Sequence, residues 1–353
     1  MTQIISPRDP ALRTMGRIDT SNPDRPIWVF PYTQMTFRFT GTTLNMTVIN
    51  HHHYGENRIG VIIDGMPASI PIPADERPVT VTLASQLPDI EHEAIIYKRQ
   101  DGQHYLEILQ LGIDDHAELL PPASPAPTRR IEIYGDSVSA GERNEAILYA
   151  GKPDPDVDLS RYSNSWLSYG AITARNLGAQ LHDIAQGGAS LLDGIGWFHE
   201  PDYVGMESIW DRIEYNPELG PSKPWDFSEY TPDVVIVAIG QNDSHPEDFM
   251  AHDYDGDQAQ HWRARYVDFL RALRKHYPWA LIICTTTVLQ HDPGWDKAIG
   301  EAVATVNDPH IIHFLYSRNG SATPGHPRVQ EHEEMADELT NLIRSYGDDI
   351  WSD

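Results

Sequence analysis

Residues 120–128 carry four prolines in nine positions. Proline fixes φ and donates no backbone hydrogen, so such a run neither continues a helix nor sits inside a sheet; it makes a stiff, extended connection. The patterning on its two sides differs, and that difference limits the fold more than any composition figure. Upstream, apolar residues alternate with polar ones: Met35, Phe37 and Phe39, then Leu44, Met46 and Val48, then Val79, Val81 and Leu83. Residues 59–63, 94–97 and 105–111 are further strand candidates. Period-two alternation buries one face of a strand and leaves the other wet. Asp64-Gly65 and Asp101-Gly102 supply turn residues that accept positive φ. Several short strands without an amphipathic helix predict a β-sandwich of the jelly-roll kind over residues 1–119.

Downstream, over residues 129–353, the pattern changes. Residues 131–134, 181–185, 234–239, 281–286 and 311–315 are short apolar runs of the sort that form strands buried on both faces. Between and after them lie helical stretches at 165–177 and 295–306, and two helix faces: Tyr266, Phe269, Leu270 and Leu273, then Met335, Leu339, Leu342 and Ile343. Strands alternating with helices predict an α/β domain with a parallel five-stranded sheet covered on both sides.

Open parallel sheets bind ligands beyond the carboxyl ends of their strands. The residues that follow the strands are therefore the candidates for chemistry. Gly135-Asp136-Ser137 follows the first strand, Gln186-Gly187-Gly188 the second, and Gly240-Gln241-Asn242-Asp243 the third. Gly325-His326-Pro327 precedes the final helix. A serine nucleophile, a histidine base, backbone N–H groups and a side-chain amide are the parts of an acyl-transfer site.

These four blocks, in this order, resemble the SGNH (GDSL) hydrolase superfamily. The sandwich ahead of them, with Val61-Ile-Ile-Asp-Gly65 and Tyr97-Lys-Arg99, is similar to carbohydrate esterase family 2. The resemblance implies a flavodoxin-like hydrolase domain. It makes Ser137 the nucleophile, and His326 the base. The oxyanion donors are then the N–H groups of Ser137 and Gly188 and the amide of Asn242, with Gly187 the adjacent alternative. The implied reaction removes O-acetyl groups from xylo- or manno-oligosaccharides through an acetyl-enzyme. The alternatives are an esterase or thioesterase of another short acyl group, or a carbohydrate-binding protein with a degenerate site.

The superfamily usually carries an aspartate two or three residues before the histidine, where this chain has Pro324 and Thr323. Some family 2 esterases are similar in working with a serine–histidine dyad, the ring held by a backbone carbonyl. The same arrangement is expected here, with a carboxylate from elsewhere in the chain as the alternative. Asp136 is expected to brace its loop, because a side chain adjacent to the nucleophile on extended backbone points the other way. His332 reads as a polar residue in the first turn of the last helix, and Arg143 as a solvated arginine. Trp197 and Trp295 follow strand ends and are candidate stacking platforms for a sugar ring, Trp295 the better placed.

Other motifs lack a component. Ser139 stands where a nucleophile elbow needs glycine. His332-Glu-Glu-Met-Ala336 lacks the second zinc histidine. His51-His52-His53 reads as a solvated turn. The single cysteine, Cys284, reads as a buried strand thiol. No cofactor and no metal are called for. The net charge of −26 disfavours nucleic acid and anionic membrane as partners. It divides unequally, −6 over residues 1–128 and −20 over 129–353, which disfavours anionic substrates. With no signal peptide apparent at the N-terminus, the expected location is cytoplasmic, and the expected partner is a short acetylated saccharide. The sequence does not indicate an oligomeric state.

Overall fold

The computed structural model describes residues 2–352. The chain divides into two compact units. The first comprises Met1–Ala126, Asp158–Arg161 and Ile213–Lys223; the second comprises Pro127–Val157, Tyr162–Arg212 and Pro224–Asp353.

The first unit holds two antiparallel six-stranded sheets. The alternating runs form Gln34–Gly41 and Leu44–His52, one in each sheet. Their inward residues, Met35, Phe37, Phe39, Leu44, Met46 and Val48, join Ile59, Val61, Ala94, Ile96, Leu106, Ile108 and Leu111 in one apolar core. Both sheets therefore face the same interior, as in a sandwich. Asp64 and Gly65 both have positive φ, 51° and 80°, and turn Arg58–Ile63 back into Met66–Pro71. Leu119–Leu120 adds to the edge of the sheet beside Gln34–Gly41. The proline run that follows is pinned: Arg38 Nε donates to the Pro121 carbonyl (2.9 Å) and Arg13 to the Ser124 carbonyl (2.6 Å).

Two short segments from beyond the proline run fold with this first unit. Ser160 Oγ accepts from the Glu56 N–H (2.9 Å), and its carbonyl accepts from Gln100 Nε2 (3.0 Å). The N–H groups of Tyr215 and Asn216 donate to the Tyr105 hydroxyl at 2.8 and 2.7 Å. The contiguous domain expected over residues 129–353 is thus interrupted twice. These segments carry no distinctive local pattern; they are stitched in by side-chain contacts, among them the Tyr215 ring stacked on Phe30 and Lys223 paired with Asp19 (2.7 Å).

The second unit is built on a parallel sheet. Its spatial order is Ala179–Ala185, Arg129–Gly135, Val234–Ala238, Leu281–Thr285, Ile311–His313. In chain order that is 2-1-3-4-5, the flavodoxin-like order. The switch point lies beside the first strand. Right-handed crossovers then send the helix after the first strand to one face and later crossover helices to the other. In agreement, Tyr169–Leu177 packs against Val329–Ser345, and Asp257–His276 against Pro293–Val306. The run at 165–177 does not form one helix. Ser168 caps a helix that starts at Tyr169, accepting from the Ala171 N–H at 3.2 Å. Cys284 is buried in the fourth strand, and that burial pushes its thiol up to about 12.

Candidate active site

The first strand ends at Gly135, where an added Cβ would lie 2.1 Å from Ser139 Oγ. Only glycine lets the next turn fold back this closely. Asp136 then caps a four-residue helix, Ser137–Ala140, by accepting from the Val138 N–H (3.0 Å). Ser137 thus heads a helical turn directly at the carboxyl end of a central strand. The Asp136 carboxylate is wholly buried and accepts also from Gln241 Nε2 (2.7 Å) and Asn242 Nδ2 (3.0 Å). Burial raises its pKa to about 6, although those hydrogen bonds and the nearby His326 charge favour the ionised form. Asp136 thereby ties the first block to the third.

Gly188 has φ +78°, and a Cβ there would meet the Phe198 nitrogen and Trp197 Cβ, each at 2.9 Å. Its carbonyl accepts from the Trp197 N–H (2.9 Å), which folds the following loop over the turn. Asn242 Nδ2 also donates to the Ala189 carbonyl (3.1 Å). Both of its donor hydrogens face protein acceptors, so the amide joins all three blocks on one edge of the sheet.

His326 lies in the loop before the last helix. That loop pairs with the one after the fourth strand: Gln290 N–H donates to the Thr323 carbonyl (2.9 Å) and Ala322 N–H to the Val288 carbonyl (3.0 Å). Asp296 fastens the pair from below, contacting His291 Nε2 at 3.1 Å, Asn319 Nδ2 at 2.9 Å and the Thr286 hydroxyl at 2.6 Å. The dyad expected from Pro324 and Thr323 is not what the ring shows. Its Nδ1 lies 2.6 Å from Asp154 Oδ2, a carboxylate 172 residues upstream. Arg143 approaches the same oxygen (3.2 Å), while Arg328 pairs with Asp154 Oδ1. Burial alone would raise the Asp154 pKa, but the bonds from His326 and Arg328 outweigh it and hold the carboxyl well below the usual range. A carboxylate on Nδ1 leaves Nε2 as the working nitrogen. Glu142 stands near both groups: its N–H donates to the Ser137 carbonyl (2.9 Å), and its Oε2 lies 3.7 Å from Nε2 without bonding it.

Several expected roles change. Trp295 offers no face to a sugar; it is completely buried against Phe249 and Trp262, with Nε1 donating to Asp248 (3.1 Å). Asp292 and Pro293 start a helix there, and its first turn points Trp295 inward. Trp197 is 58% exposed, and its ring stacks on His245 at 3.4 Å, directly beside Gly188. His332 is not a wet polar residue: it is buried, accepts from the Tyr169 N–H through Nδ1 (3.1 Å) and stacks on that ring. Burial lowers its pKa to about 3, so it is neutral and structural. Arg143 is not free in solvent but paired with Glu142 and Asp154. His51 and His52 belong to the strand Leu44–His52, where His51 contacts Glu107 (2.9 Å). Asp243, in the third block, is buried and accepts from the Leu191 N–H (2.8 Å) and Trp262 Nε1 (2.6 Å); burial raises its pKa to about 7.

Comparison with known proteins accords with this geometry. The chain is 28% identical over 354 residues to the acetylxylan esterase/glucomannan deacetylase of Cellvibrio japonicus, covering 98% of this chain and 92% of that protein. It is 29% identical over 347 residues to the cellulase/esterase CelE of Acetivibrio thermocellus, covering 96% of this chain but spanning only 40% of that longer protein. A family two carbohydrate esterase from Clostridium thermocellum, solved with cellohexaose, superposes with a TM-score of 0.78 at 27% identity, covering 95% of this chain and 98% of that one. Residues 14–123 match the carbohydrate esterase 2 N-terminal domain. Residues 133–348, which hold every block described above, match the GDSL-like lipase/acylhydrolase family, and the chain belongs to that family.

Proposed function

We propose that this protein is a serine carboxylic ester hydrolase that removes O-acetyl groups from carbohydrate. Ser137 Oγ attacks the acetyl carbonyl and gives its proton to His326 Nε2. The N–H groups of Ser137 and Gly188 and the Asn242 amide stabilise the oxyanion, Asn242 by sharing a hydrogen now given to Asp136 or Ala189. His326 then protonates the departing sugar oxygen, leaving an acetyl-enzyme. Water, deprotonated by the same nitrogen, attacks the acetyl-serine ester; acetate leaves and Ser137 regains its proton. Asp154 holds the ring in the productive tautomer and stabilises the imidazolium that forms.

The observation that carries this reading is the Asp154–His326 pair at 2.6 Å, in a domain whose strand ends present Ser137, Gly188 and Asn242. The degenerate-site alternative drew on a missing acid, and Asp154 removes its ground. Acetylated xylo- or manno-oligosaccharides are the substrates that best fit, given what the similar Cellvibrio protein is named for. Exposed Trp197 is the platform for a sugar ring, whose apolar C–H face suits indole.

The test is acetate release from a panel of acetylated oligosaccharides, with Ser137→Ala as control. Release by the wild type and none by the variant is expected. No release from any member, or equal release by the variant, would overturn the reading. Relative rates on acetyl, butyryl and longer esters separate an acetylesterase from a broader esterase.

A further inference from the structure

We propose that Glu142 is a specificity residue that reads the hydroxyl beside the acetylated one, so that the preferred substrates are sugars whose neighbouring hydroxyl is free. This rests on the deacetylase reading above and refines it.

His326 Nε2 must hold in turn the serine proton and the departing sugar oxygen, both within about 2.6–3.2 Å. Glu142 Oε2 stands 3.7 Å from that nitrogen. That is too far for a direct hydrogen bond, and it leaves the nitrogen's own position open. It is near enough to meet the group carried on the carbon next to the departing oxygen. The carboxylate is held in place from both ends. Its backbone N–H is tied to the Ser137 carbonyl (2.9 Å), and its other oxygen is paired with Arg143 Nε (3.0 Å). Arg143 itself sits at φ +55°, a left-handed conformation uncommon for arginine. That turn lets two consecutive side chains serve one imidazole, Glu142 at Nε2 and Arg143 at the Asp154 carboxylate behind Nδ1. Backbone strain of this kind persists only where surrounding contacts enforce it.

An ionised carboxylate accepts hydrogen bonds and donates none. The side chain is one-fifth exposed, so an incoming neutral sugar covers it and must offer a donor or leave it desolvated and unpaired. The donors of such a sugar are its free hydroxyls. A second acetyl group at the neighbouring position removes that donor and sets a carbonyl oxygen against the carboxylate.

The experiment compares three methyl xylosides: one acetylated at a single hydroxyl, one acetylated also at the neighbouring hydroxyl, and one acetylated once with the neighbouring hydroxyl replaced by hydrogen. Initial acetate release gives kcat/KM for each. The wild type is expected to prefer the first over the other two by at least about tenfold, as for sites built around a substrate hydroxyl. In Glu142→Ala the preference collapses towards unity, mainly through a higher KM for the first substrate. Glu142→Gln, which keeps an acceptor oxygen, retains part of it. Equal wild-type rates on all three sugars would overturn the proposal whatever the variants do. So would an unaltered preference in Glu142→Ala. A wild type that turns over nitrophenyl acetate but none of the sugars marks a different failure, that of the carbohydrate reading, and this proposal falls with it.

Discussion

Replacing Asp154 by asparagine tests whether the acid supplied from a distant loop contributes to catalysis or merely lies beside the histidine. The side chain keeps its size and one acceptor oxygen but loses its charge. In the structure that charge faces His326 Nδ1 at 2.6 Å and is shared with Arg143 and Arg328. A hydrogen bond to a charged group contributes about 1.5–3 kcal/mol, and the imidazolium needs it most at the transition state. At roughly 1.4 kcal/mol per decade, kcat/KM for an acetyl ester falls about ten- to a hundredfold. If asparagine also stabilises the wrong ring tautomer, the loss grows towards about 10⁴. The Arg328 side chain is 4% exposed and loses its anion in the variant, so the melting temperature falls as well. Steady-state kinetics with nitrophenyl acetate, run well below the variant's melting temperature, separate the two effects. A folded Asp154→Asn enzyme that loses less than about threefold, below the smallest contribution expected of such a bond, would refute the reasoning and return the site to a dyad.

Gly188→Ala should cost both stability, about 1–3 kcal/mol from the left-handed φ and the 2.9 Å clash, and most of the activity; denaturant melts and kcat check it, and a fully stable, active variant counts against the turn geometry. The two tryptophans should part company. Trp295→Ala destabilises by about 3–5 kcal/mol as a core cavity, whereas Trp197→Ala leaves the melting temperature nearly unchanged and raises KM for oligosaccharides over nitrophenyl acetate. Asp243 and Asp136 are buried with pKa values raised to about 7 and 6. A raised folded pKa gives stability that is complete below the unfolded value near 3.9 and is lost as pH rises through the folded value. For Asp243 that is of order 4 kcal/mol, lost between about pH 4 and pH 7, so the wild-type melting temperature should fall from pH 5 to pH 7, and Asp243→Asn should flatten that slope. A flat wild-type profile across this window would contradict the assignment.

Much of this was legible because its cause is local. Period-two and all-apolar runs follow directly from which faces a strand buries, and Met35, Phe37 and Phe39 lie buried where alternation put them. The blocks at Ser137, Gly188 and Asn242 were findable because parallel strands deliver their loops to one edge. Asp154 was not, since its neighbourhood, Lys-Pro-Asp-Pro-Asp-Val-Asp, offers several aspartates and no periodicity. The usable signal was indirect: Thr323 and Pro324 left the base without its acid, so an acid was needed from another loop. The burial of Trp295 has a different cause. Asp292-Pro293 is a helix-start signal two residues before the helical stretch read at 295–306, and it sets the indole in a first turn that faces the core. The excursions at 158–161 and 213–223 depend on contacts 60 or more residues apart, which no window of sequence contains.

The strand of chain that leaves Asp154 reaches Ser160 six residues later, and Ser160 is already part of the front unit through Glu56 and Gln100. The proline run therefore looks like a seam but is a poor place to cut. Domain shuffling that exchanged everything before residue 127 would hand the hydrolase a front half without the Glu56 N–H and Gln100 amide so placed that they hold Ser160, at the far end of its acid-bearing loop. A practical rule follows from that wiring. A chimera of this esterase should carry Glu56, Gln100 and the segment 158–161 together, or expect the acid to arrive out of place.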